Sequence, residues 1–305
     1  MTLITMIVAM IMLIPFSRFI LSQNIFNTLV KDVPKALPQQ NKTSKIIFWI
    51  IFFLGAFIAS MSYIPMVDAA KVIFADAANR ELTWFYPQRM NNSVMLWAAF
   101  NGVIGLILFT GSYQFFGKKH GVSISSWGLE ADIKYIAKTF GLALTVFASY
   151  YALLFLIYYI FHVDYRFWFM GVRIFQPEML LVLAMYAPIF FIFFFSNSLR
   201  VNGAMRIKGQ AEWKSMLIAG VANSLGLFLI ILLQYVTFAL TGTVFWTTNW
   251  LSVNLLFAIV PMMFVLPYFN RYFFYMTGRV YLGPMVTTLV FIMILSTNTV
   301  VYLPI

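Results

Sequence analysis

Apolar runs alternate with shorter polar segments along the whole chain. Eight of them read as helical elements, at residues 2–16, 46–66, 92–116, 139–162, 178–197, 215–240, 251–270 and 281–303. A helix needs about 20 predominantly apolar residues to cross the hydrocarbon core of a bilayer. The first run is short, but it lacks the basic start and small-residue cleavage site of a secretory leader and reads as a span. The pattern predicts an all-α, polytopic membrane protein with eight transmembrane helices in a single helical membrane domain, 1–305.

Two junctions carry patterns of their own. Leu129, Ile133, Ile136 and Phe140 recur at helical spacing while Glu130, Lys134 and Lys138 face away, which predicts an amphipathic helix in the membrane interface running into the fourth span. Residues 17–45 hold Pro34, Pro38 and a polar Gln39-Gln40-Asn41 stretch and read as a loop or surface-lying segment. Pro188 in the fifth span, and Pro261 and Pro267 in the seventh, predict bends. No internal repeat of the kind that marks many secondary transporters is visible.

Composition strengthens this reading. The chain is 62% hydrophobic and 10% charged, whereas soluble domains are about one-quarter charged. The net charge of +11 is spread over short loops, unlike the basic stripe or tail of a nucleic-acid-binding protein, so no nucleic-acid partner is expected. Fifteen of the twenty Lys and Arg residues fall in the first, third, fifth and seventh loops and five in the second and fourth, with none in the sixth loop or the termini. Cytoplasmic loops carry the excess of Lys and Arg. Both termini are therefore expected to be extracytoplasmic, in a multi-pass membrane protein with the lipid bilayer as its first partner.

Little catalytic chemistry is visible. The chain has no cysteine and only two histidines, His120 and His162, which excludes disulfides and thiolate sites and argues against a histidine-based metal site. The G-x-S-x-G elbow, H-E-x-x-H, P-loop and dinucleotide glycine patterns are absent. No catalytic residue, metal or cofactor is expected, and the chain alone is expected not to be an enzyme.

Polar residues within the spans are the remaining candidates: Asn101, Asn223, Gln234 and Asn254, with Glu178 near the outer end of the fifth span. Such side chains commonly serve as interhelical hydrogen-bonding groups, and they also line polar paths and ligand sites. The outer loops hold Trp84, Trp168, Trp246 and Trp250. These fit the aromatic belt of a membrane interface, or an apolar outer platform for a docked domain or lipid-like substrate.

Several short motifs carry a family likeness. They are Lys45-Ile-Ile-Phe-Trp49 after the Pro-rich first loop, Met95-Leu-Trp97 with Asn101-Gly102, Gln234-Tyr235 with Thr241-Gly242, and Thr277-Gly-Arg-Val-Tyr-Leu-Gly283. In these the chain resembles the C-terminal multi-span membrane region of bacterial, mainly Firmicutes, α/β-hydrolase-like membrane proteins, in which an extracytoplasmic hydrolase domain precedes the spans. The serine elbow and histidine of that domain are absent, so the resemblance assigns no catalytic residue. It implies a chain cut at the domain junction before Met1. The expected function is a non-catalytic module that anchors, and presents apolar substrate to, an extracytoplasmic α/β-hydrolase domain or subunit. The alternative is a stand-alone transporter or channel for a small or lipid-like molecule.

Overall fold

The computed structural model describes residues 14–23, 25–34, 41–43, 127–160, 197–199, 201–202, 206, 211–242 and 260–296. It also describes isolated helical positions at 46, 50, 53, 187–188, 191–192 and 194–195. Among these residues the fold is helical, with no strand. Four long helices are α1, Ile133–Ile160; α2, Glu212–Thr241; α3, Val260–Thr277; and α4, Leu282–Ser296. Residues 14–22 form a further helical segment, followed by a short 3₁₀ turn, Asn27–Leu29.

The packing order runs α2, α3, α4, α1. Helix α3 lies against α2 and α4, and α4 lies against α1. Their common core joins Ile20 and Leu21 of the first segment, Leu142, Val146 and Tyr150 of α1, Phe273 of α3, and Leu282 and Val286 of α4. Small residues let the helices approach closely. A side chain at Gly283 of α4 would stand 2.5 Å from Asn270 Oδ1 and 3.2 Å from its Cα on α3, so this crossing admits only a hydrogen.

Among the described residues, one helix is long and apolar enough to cross a membrane, over Ile133–Leu153 of α1. Its buried face holds Thr139, Leu142, Ala143, Val146 and Tyr150, while Ile133, Phe140, Leu144 and Leu156 are exposed. Helix α2 behaves alike: Leu217, Val221, Phe228, Leu232, Val236 and Leu240 form one exposed apolar stripe. In water such stripes would be costly; against lipid tails they are neutral.

The expected amphipathic helix before the fourth span takes a different form. Helix α1 is continuous from Ile133, and Leu129 and Glu130 precede it. Asp132 sets the start, its Oδ1 accepting from the Tyr135 N–H at 2.6 Å, the geometry of an N-cap. Ile133 and Phe140 are exposed, away from the protein core, so α1 is apolar on both of its faces.

Three boundaries also move. The first helical segment continues to residue 22, past the expected end at Phe16. The helical positions around the fifth span pass Asn197 to residue 199 and enter a wide π turn at Val201 and Asn202. Helix α3 runs on to Thr277 and carries Arg271 inside it, where a loop was expected after Asn270. Pro267 lies within α3 and cannot donate to the carbonyl of Met263.

The close crossing at Gly283 gives a first test. Gly283→Val is expected to destabilise the purified protein by about 1–3 kcal/mol, the usual effect of overpacking. Gly141→Ala, where an added Cβ meets nothing within 4 Å, should leave stability unchanged or raise it by up to about 1 kcal/mol. Thermal unfolding of both variants in one detergent checks the contrast.

Candidate functional site

The polar groups that the structure brings together lie where α3 turns into α4. Helix α3 ends in an αL cap: Gly278 has φ +64°, and its N–H donates to the Phe274 carbonyl at 2.7 Å. A side chain there would strike the carbonyls of Lys31 and Asp32, at 2.5 and 2.6 Å. The Thr277 hydroxyl sits between the Phe273 and Arg279 carbonyls, at 2.9 and 3.1 Å.

This turn is gripped from two sides. From the N-terminal segment, the Lys31 N–H donates to the Thr277 carbonyl at 3.3 Å. From the stretch before α1, the Gly128 carbonyl accepts from the Val280 N–H at 3.2 Å. Arg279 Nε donates to the Glu130 carbonyl at 2.6 Å, with a guanidinium nitrogen 3.6 Å from the Glu130 carboxylate. The Tyr281 hydroxyl donates to the Leu129 carbonyl at 2.8 Å. The Tyr135 hydroxyl donates to the Leu29 carbonyl at 3.0 Å and lies 3.5 Å from that of Thr277.

Behind the turn lies a fully buried amide network. The Ser198 hydroxyl donates to the Val280 carbonyl at 3.2 Å. The Asn202 amide donates to Ser198 Oγ and to the Asn270 carbonyl, at 3.0 and 3.3 Å. The Asn270 amide donates to Asn197 Oδ1 at 3.2 Å. Three atoms of the set, Asn197 Nδ2, Asn202 Oδ1 and Asn270 Oδ1, have no protein hydrogen-bond partner. A buried group left so costs about 1–3 kcal/mol.

Two arginines border the network. Arg206 donates to the carbonyls of Asn202 and Pro34 and lies over the Phe274 ring, 4.6 Å from its centroid. Arg271 donates to the Val201 carbonyl at 3.2 Å, and its Nε is 3.0 Å from Glu212 Oε1. That contact is an ion pair and not an aligned hydrogen bond, since the Nε–H finds no acceptor in good geometry. Glu212 opens α2, where a carboxylate also complements the helix dipole.

The residues expected from the sequence are not among those whose side chains the structure describes. Asn101, Glu178, Asn254, Trp84, Trp168, Trp246 and Trp250 lie outside the described residues, and Asn223 and Gln234 lie on α2 with side chains outside the description. Asn197, Ser198, Asn202 and Asn270 were not singled out, because they fall at the ends of apolar runs, where an amide reads as a boundary. The usable signal was their spacing: 197, 198 and 202 fall within about one and a half helical turns.

No protein-family model, curated protein or solved structure matches the chain.

The amide network makes a quantitative expectation. Asn270→Ala and Asn197→Ala should each destabilise by about 1–3 kcal/mol. The double variant should fall short of the sum by about 0.5–1 kcal/mol, the usual coupling of an interhelical hydrogen bond in a membrane. Equilibrium unfolding of the four proteins in one detergent reads the cycle; strict additivity would mean that the two amides do not interact.

Proposed function

We propose that the chain is an eight-span membrane module, with both termini extracytoplasmic, that anchors and presents apolar substrate to an extracytoplasmic α/β-hydrolase domain or subunit. The division of Lys and Arg between alternate loops carries this reading. The exposed apolar stripes of α1 and α2 support the membrane setting. The hydrolase association rests on the resemblance of the TGRVYLG turn and its companion motifs. The clamp around that turn gives the module a tied inner face, which suits an anchor whose chemistry lies on the opposite side.

A second reading, a stand-alone transporter or channel, is favoured by one observation: the buried amide network retains unsatisfied donor and acceptor atoms where α3 meets residues 197–202. Uptake of labelled solutes or lipids into proteoliposomes would favour this reading over the first.

The absence of native cysteine makes the orientation directly measurable. Asn91→Cys and Thr248→Cys are expected to react with a membrane-impermeant maleimide on intact cells, and Lys118→Cys and Lys208→Cys only after lysis. The opposite pattern removes the topology. For the partner, the tagged chain purified from its native membrane should retain a hydrolase in stoichiometric amount; repeated recovery without one removes the anchoring role.

A further inference from the structure

The segment after the first helix, and the first turn of α1, expose large apolar side chains in an otherwise charged region. Ile25 is 71% exposed, Val30 53% and Ile133 77%, and Phe19 near the end of helix 14–22 is 63% exposed. The side chains between them are basic: Arg18, Lys31, Lys134 and Lys138 are all exposed. The two stretches form one surface. Lys138 Nζ donates to Thr28 Oγ1 at 3.3 Å, the Tyr135 hydroxyl donates to the Leu29 carbonyl, and Arg18 lies over Tyr272 of α3 at 5.7 Å.

The acids nearby are partly engaged. Glu130 pairs with Arg279, and Asp132 caps α1. Asp32 adds one further exposed carboxylate. Positive charge is thus in excess around the exposed apolar side chains.

A surface facing bulk water does not gain from isolating Ile25, Val30 and Ile133 among cations. The same mixture suits the boundary between headgroups and acyl chains, where apolar side chains enter the bilayer and Lys and Arg meet lipid phosphates. The covering neighbour that fits both halves of the patch is an anionic lipid layer.

We propose that residues 18–34 and the first turn of α1 form a seat for anionic phospholipid headgroups of the inner leaflet, with Phe19, Ile25 and Ile133 inserted below the phosphates. The inference rests on the membrane reading and adds a lipid preference on the face opposite the expected hydrolase. At roughly 1 kcal/mol per cation near an anionic surface, the four basic residues hold this segment down only where anionic lipid is present. In zwitterionic lipid the apolar side chains alone hold it, and less deeply.

Nitroxide labels at Ile25→Cys, Ile133→Cys and Asp32→Cys, in the full chain reconstituted into vesicles, test the seat. Collision rates with oxygen and with a water-soluble nickel chelate report depth. In phosphatidylglycerol vesicles the labels at 25 and 133 should favour oxygen over nickel several-fold more than the label at 32. That preference should weaken in phosphatidylcholine, and in phosphatidylglycerol when Lys31 and Lys134 are changed to glutamine. Nickel-accessible labels at 25 and 133 in both lipids would overturn the proposal, as would a depth independent of lipid charge. Depth in reconstituted vesicles does not depend on which way the chain is oriented in cells, and maleimide labelling reads that separately. Loss of the seat and loss of the topology are therefore distinguishable.

Discussion

The carbonyl of Thr277, at the end of α3, finds its partners outside the helix, and the surroundings of the α3–α4 turn are organised around satisfying it and its neighbours. The Lys31 N–H reaches it, the Tyr135 hydroxyl lies beside it, and Gly278 turns the chain into the left-handed region so that Val280 can meet Gly128. Helix ends leave several such carbonyls without partners in their own helix. Here the Lys31 N–H and the Tyr135 hydroxyl, from two separate stretches, supply the missing partners. Backbone pairing, more than side-chain charge, ties the N-terminal segment and the start of α1 to the α3–α4 turn.

The amide network deepens the same junction. Asn270 donates to Asn197 while its backbone carbonyl accepts from Asn202, so one turn of α3 is joined to both sides of the π turn at 201–202. Arg271 follows directly, bridging to the Val201 carbonyl and to Glu212 at the start of α2. Residues 270 and 271 thus hold two neighbours of α3 at once. Their positions explain why α3 continues through a charged residue: the guanidinium is buried with partners on two other elements, and a helical turn is what places it between them.

How much of this could be read from the sequence differs by element. The sixth run was legible almost to its ends, 215–240 against α2 at Glu212–Thr241, because its apolar stretch is unbroken and bounded by charge. The end of α3 was not, because hydropathy treats Arg271 as a boundary and cannot see Glu212 and Val201 waiting for it. The start of α1 depended on Asp132, a single capping side chain inside a charged stretch. The buried face of α1 was hidden for a more general reason: with Leu142 and Val146 buried and Phe140 and Leu144 exposed, the helix is apolar on both faces, so periodicity does not separate inside from outside. Among the candidate site residues, those on α2 have described backbone positions only and the others lie outside the description. The amides that do converge, Asn197, Asn202 and Asn270, belong to runs far apart in sequence, and only the packing of α3 against its neighbours brings them together.

The grip on the α3–α4 turn also sets an order of events during synthesis. Residues 31 and 128–130 are made long before residues 277–281, yet they find hydrogen-bond partners in that turn. Until that turn has been made, these earlier groups must be held by other partners. Contacts of such long sequence separation form late. The surroundings of the α3–α4 turn therefore mature late, and a ribosome stalled before the turn would leave Lys31 and residues 128–130 without these partners.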